Sequence, residues 1–172
     1  MLKYRDYTPA DGEMVASWVT DEHTMRIWSA ACFASWPVTG EQLTALLEER
    51  HAKDPTFRPL IVEEDGVPVG HIMVKMGDPE KNMIHIGLFI LNPELRGKGL
   101  GSRMLRFILD ELIFGEMDAD LADLRVFLCN TPARACYEKL GFQEMGTGVI
   151  SMNLHGEVWD AVDLVIGKET IG

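Results

Sequence analysis

The run Arg96-Gly97-Lys98-Gly99-Leu100-Gly101-Ser102 joins an apolar stretch, Ile84 to Leu91, to a periodic helical one. Leu100, Met104, Leu105, Ile108, Leu109 and Leu112 carry the helical period. A glycine-rich turn between a strand and a helix exposes backbone N–H groups with no Cβ in the way. Those donors, the positive end of the helix dipole and a nearby cation suit a phosphate or pyrophosphate. The spacing narrows the choice. A dinucleotide fingerprint needs a glycine where Ser102 stands, and no segment has the spacing of a P-loop. What remains is R-x-x-G-x-G, on Arg96, Gly99 and Gly101. A turn of this composition also serves elsewhere as a plain helix cap.

A second constellation lies downstream. Leu124, Val126 and Leu128 alternate as a half-buried strand does. Thr131 is a good N-cap, Pro132 suits the first helical position, and Gly141 after Leu140 signals a helix end. Asn130, Ala133, Tyr137, Gly141 and Phe142 spell N-x-x-A-x-x-x-Y-x-x-x-G-F. The two motifs, in this order, resemble the GNAT superfamily of N-acetyltransferases: the first its acetyl-coenzyme A loop, the second its downstream motif. The resemblance covers roughly residues 84 to 142; the flanks agree in pattern only.

The resemblance implies transfer of an acetyl group from acetyl-CoA to a primary amine, by direct attack through a tetrahedral intermediate. The acceptor is a small molecule or a peptide N-terminus. Arg96, Gly97, Lys98, Gly99, Leu100, Gly101 and Ser102 are the expected pyrophosphate loop. Lys98 and Arg103 either add charge there or are solvated cations. The backbone of Phe89, Ile90 and Leu91 is expected to meet the pantetheine arm and the thioester, with an N–H as oxyanion donor. Asn130 is a cofactor contact or simply a helix cap. Tyr137 holds the family position for the general acid that protonates the leaving thiolate; the alternative is a core tyrosine bonded to backbone.

The base is less sharply marked. An alkylamine with a pKa near ~10.4 costs about 4–5 kcal/mol to deprotonate at pH 7. Some relatives carry a Glu five residues before the motif asparagine, where this chain has Arg125. His85 is the alternative. Arylalkylamine N-acetyltransferases are similar in this segment and place a proton-relaying His there, with a second His where this chain has Gly87. His71, Glu63 and Glu64 are further candidates. On the acceptor side, Trp28 and Trp36, with Trp18 and Phe33 nearby and Asp21 and Glu22 close in sequence, suit an organic cation or form an aromatic core.

The elements that must position these residues follow from pattern. Leu2 to Tyr7 reads as a strand, and Thr8-Pro9 caps a helix to about Val19. Thr39 to Gln42 is a capping box for a helix to about Ala52. Phe57 to Glu63 and Val67 to Met76 flank Asp65-Gly66, a hairpin signal. Met83 to Leu91 is the next strand, followed by the glycine loop and a helix to about Phe114. Phe142 to Leu154 and Val158 to Ile166 close as a hairpin around His155-Gly156. Pattern gives an α/β or α+β fold. The resemblance makes it a GNAT fold, a mixed twisted sheet of about seven strands with helices on both faces, ordered β-α-α-β-β-β-α-β-α-β-β. Residues 1–172 are read as one domain.

Composition sets the outer bounds. At 47% hydrophobic the chain can bury a sizeable core. A net charge of −11 argues against nucleic acid and is compatible with a cationic acceptor. No run approaches the ~20 apolar residues of a membrane span. No leader pattern opens the chain, and Cys32, Cys129 and Cys136 lack metal-ligand spacing. These features suit a cytoplasmic protein with no metal and no membrane partner, and they leave open whether it is a monomer or a homodimer. The rival reading is a non-catalytic acyl-CoA-binding or regulatory protein on the same fold.

Overall fold

Strand β1 (Leu2–Asp6) pairs antiparallel with β2 (Arg58–Glu64), from Leu2↔Glu64 to Asp6↔Leu60. The computed structural model describes residues 1–171. Between these strands lie a 3-10 turn (Pro9–Asp11) and three helices, α1 (Gly12–Ser17), α2 (Glu22–Ser29) and α3 (Gly40–Lys53). β3 (Val67–Asp78) and β4 (Met83–Leu91) follow, then α4 (Leu100–Phe107), which continues as a π-helix over Ile108–Glu116. The chain closes with β5 (Leu121–Phe127), α5 (Thr131–Leu140), β6 (Gln143–Glu144), β7 (Ile150–Leu154), β8 (Glu157–Gly167) and the short α6 (Lys168–Ile171).

The strands pair in the order β1-β2-β3-β4-β5-β8-β6, with β7 also on β8. β4 and β5 run parallel, whereas β1–β2, β2–β3, β5–β8, β6–β8 and β7–β8 are antiparallel. This is the mixed α/β architecture expected, with eight strands rather than about seven. The last hairpin explains the difference. Phe142 to Leu154 does not form one strand: two residues pair as β6, and β7 begins only at Ile150.

Local chemistry accounts for the boundaries. Thr39 and Gln42 form the capping box, with each side chain bonded to the other's backbone N–H at 3.1 and 3.0 Å. Asp65 and Gly66 both have positive φ, as do His155 and Gly156, so both hairpins turn as the primed types that match strand twist. The first helix is broken rather than continuous from Thr8: a 3-10 turn precedes α1, which stops at Ser17. Helix α2 is an addition to the sequence reading. Asp21 caps it by accepting from the Thr24 N–H at 2.7 Å. The π-helix is permitted by Gly115, because a Cβ there would stand 2.7 Å from the Asp110 carbonyl oxygen.

The chain divides into two compact units. The first comprises Met1–Val74 and Leu88–Lys98. Its core packs Val15, Met25, Trp28, Leu43, Leu47, Phe57, Ile61 and Ile90. Arg5 ties its strands to the first turn, donating to Asp11 at 2.8 and 2.9 Å and to Glu63 at 2.7 Å. The second unit comprises Lys75–Gly87 and the chain from Gly99 onward. Its long helical segment buries Met104, Leu105, Ile108, Leu109 and Leu112 completely. These are the positions the helical period marked.

Candidate active site

In the second unit, α4 starts from Gly99, which is left-handed (φ 75°) and offers no side-chain cap. Arg103 N–H reaches back to the Gly99 carbonyl at 3.2 Å, so the helix starts directly after that glycine. The first-turn amides of Leu100, Gly101 and Ser102 therefore point out of the helix end. Gly97 is likewise left-handed (φ 78°), and a Cβ at either Gly97 or Gly99 would meet nothing within 4 Å. The glycines are needed for the turn, and the space over them is open. That is an accessible cradle suited to a diphosphate. Lys98 is exposed beside it.

His85 lies on β4 directly opposite Asp123 on β5. Its Nδ1 is 3.2 and 3.3 Å from the two carboxylate oxygens. Both side chains are partly buried, at 27% and 13% exposure. A carboxylate only accepts, so it holds the Nδ1 proton and leaves the Nε2 lone pair free to take one. Arg125, two residues on, is engaged bidentately by Asp163 at 2.7 and 3.1 Å. The position that carries a Glu in some relatives is thus a structural ion pair here.

Helix α5 carries the second motif. It begins at Thr131, one residue earlier than the capping pattern suggested, with Asn130 in the N-cap position. Asn130 makes no side-chain cap bond, so its amide is free for another partner. Tyr137 is buried, its ring tilted against Phe142 at 5.9 Å. Burial pushes the phenol well above the ordinary tyrosine range, so it stays protonated as a donor. Ser102 and Cys136 bring α4 and α5 together through an Oγ–Sγ contact of 3.0 Å.

In the first unit, Arg96 donates to the Trp18 and Leu91 carbonyls, each at 3.3 Å. It anchors the root of the glycine loop rather than standing free. Phe89, Ile90 and Leu91 follow Leu88, whose φ of 48° turns the strand. The parallel β4–β5 register runs from Met83↔Leu121 only to Ile86↔Leu124. His71 is wholly buried and donates from Nδ1 to the Leu88 carbonyl at 2.8 Å. Glu63 is engaged by Arg5. Trp28 is in the core, stacked on Phe33 at 6.0 Å, with its indole N–H unpartnered. Trp36 is 43% exposed and donates to the Val19 carbonyl at 3.0 Å. Asp123 and the Leu88 turn are the features beside these residues that sequence reasoning missed. No local pattern announces either.

Among the described residues, no cluster of His, Cys, Asp or Glu is placed to hold a metal ion, and no helix is long and apolar enough to cross a membrane.

Comparison with known proteins gives the family. The model of the acetyltransferase (GNAT) family matches residues 21–142. The chain belongs to this family and is an N-acetyltransferase. It is similar to the L-amino acid N-acetyltransferase AaaT of Escherichia coli K12, 29% identical over 66% of this chain and 70% of that one. It is also similar to the mycothiol acetyltransferase of Clavibacter sepedonicus, 31% identical over 70% of this chain and 39% of the other. Among solved structures, the spermidine N-acetyltransferase of Vibrio cholerae in complex with CoA and spermine superposes with a TM-score of 0.78, covering 99% of this chain and 97% of that one at 20% identity. That likeness speaks for the fold.

Proposed function

We propose that the chain moves an acetyl group from acetyl-CoA to a primary amine by direct attack through a tetrahedral intermediate, as one cytoplasmic acetyltransferase domain over residues 1–172. The observation that carries this reading is Tyr137, buried in the second motif with its phenol kept protonated by burial and so retained as a proton donor. The amides from Gly97 to Ser102, with Lys98, Arg96 and Leu100 in the same loop, hold the pyrophosphate. The peptide groups of Phe89, Ile90 and Leu91 meet the pantetheine arm and thioester, and Asn130 adds a side-chain contact. His85, oriented by Asp123, accepts the amine proton, and Tyr137 gives a proton to the leaving thiolate. Trp36, and Trp28 beneath it in sequence, belong to the acceptor side.

The acceptor class is a small-molecule amine or a peptide N-terminus. The named activities of AaaT and of the spermidine enzyme make amino acids and polyamines the first amines to try. The test is thiol release from acetyl-CoA across a panel of amines. Turnover with at least one amine supports the reading. Tight acetyl-CoA binding with no turnover on any amine supports the non-catalytic alternative.

A further inference from the structure

His71 is a costly residue to bury. Its ring is wholly inaccessible on β3, in T-shaped contact with the Tyr7 and Trp28 rings at centroid separations of 6.0 and 6.2 Å. A neutral imidazole has one N–H. Here Nδ1 faces a carbonyl, which only accepts, so the proton sits on Nδ1 and the bond runs to Leu88 at 2.8 Å. Nε2 is left as a buried lone pair with no partner. A leucine or phenylalanine would fill the same space without that penalty. What the imidazole supplies that those side chains cannot is a donor to Leu88.

Leu88 needs one. It is a non-glycine residue at φ 48° in the middle of a strand, a conformation that L-residues avoid and that persists only where the surroundings enforce it. Its side chain is held as well, packed on the first unit's core. The turn at Leu88 decides which way the next three peptide groups point. One residue past them, the Asn92 N–H bonds to the Val69 carbonyl at 2.9 Å, so the far end of the segment is also pinned to β3. His71 and Val69 thus grip both ends of Phe89–Leu91.

We propose that His71 is a positioning residue for acetyl transfer: its Nδ1–H holds the Leu88 carbonyl, fixes Leu88 in the left-handed conformation and so aims the Phe89, Ile90 and Leu91 peptide groups at the thioester arm. The inference rests on the role given above to those peptide groups.

The test is a set of variants read by calorimetric affinity for acetyl-CoA and by the backbone carbon shifts of Leu88, which report its φ. His71→Asn places an amide N–H on the same branch of Cγ and is expected to bind acetyl-CoA as the native chain does. His71→Leu keeps the volume, loses the donor, moves Leu88 toward extended φ and weakens binding about tenfold. Adding Leu88→Gly to His71→Leu removes the penalty for positive φ and restores most of the affinity. A purely structural histidine predicts the opposite, since Leu88→Gly only removes more core. If His71→Leu does not fold, His71→Gln takes its place, because its amide lies at the Nε2 position and misses Leu88.

Native affinity in the donor-less variant, an unchanged Leu88 φ despite lost affinity, or failure of Leu88→Gly to restore binding each overturns the proposal. Absence of acetyl-CoA binding by the native chain overturns the acetyl-transfer reading itself, and is seen before any variant is made.

Discussion

His85 and Asp123 face one another across the parallel β4–β5 ladder, with Nδ1 3.2 and 3.3 Å from the two carboxylate oxygens. A carboxylate that accepts from Nδ1 fixes the tautomer and turns the basic nitrogen outward. Asp123→Asn can donate to Nδ1 and so favours the wrong tautomer. If the pair relays the amine proton, kcat/KM falls by about 10²-fold or more in Asp123→Asn. A rising limb of the pH–rate profile that belongs to this pair is lost in both His85→Ala and His85→Gln. Acceptors of different basicity separate this limb from the amine's own titration. A limb that follows the acceptor and ignores both residues assigns the proton to a water chain instead.

The glycine loop predicts a clean separation of binding from folding. Gly99 has φ 75°, and a Cβ there touches nothing within 4 Å. Gly99→Val therefore costs only the left-handed strain, about 1–2 kcal/mol, while placing methyl groups in the space the pyrophosphate would fill. Gly101→Val obstructs the same helix end. Thermal unfolding is expected to stay cooperative in both variants, with calorimetric binding of acetyl-CoA abolished. Undiminished affinity in both removes the loop from the site.

Tyr137→Phe deletes one hydroxyl and little volume, so stability is expected to be nearly unchanged. Turnover is expected to fall about 10²–10⁴-fold with KM for acetyl-CoA nearly constant. Because burial holds the phenol well above its ordinary range, no loss of rate from its ionisation is expected through the alkaline working range. Equal kcat in pre-steady-state assays of the two forms returns Tyr137 to a packing role.

Two of the more buried groups contribute to the acid side of stability in separate windows. Burial holds His71 at about 4, against 6.5 for the free side chain. The unfolded chain therefore takes up this proton first, and stability is full above about pH 6.5 and falls until about pH 4, on the order of 3 kcal/mol in all. The bonds from Arg5 hold the Asp11 carboxyl below its usual 3.8, so its contribution is present above that value and lost only as pH falls further. Urea unfolding at a series of pH values checks both. His71→Asn loses the slope between about pH 6.5 and 4 and keeps the acid loss from Asp11, whereas Asp11→Asn reduces that acid loss and keeps the slope.

The amino-acid sequence by itself determined the parts of this protein whose physics is local. Gly97, Gly99, Asp65-Gly66 and His155-Gly156 stand where the backbone must turn through positive φ. Thr39 and Gln42 satisfy a helix end three residues apart, and the apolar period from Leu100 to Leu112 names the buried face of one helix. Those signals, with the spacing from Asn130 to Phe142, were enough for family and fold. Helix α2 was legible too, in the Asp21 side chain that caps the Thr24 N–H three residues on. Only the tertiary structure decided which side chains meet. Asp123 lies 38 residues from His85, and Asp163 lies 38 from Arg125. Strand pairing brings each together, and nothing within a strand records the register of its neighbour. The turn at Leu88 is the extreme case. Leucine has no intrinsic reason to adopt φ 48°; a buried imidazole 17 residues earlier in the chain holds it there.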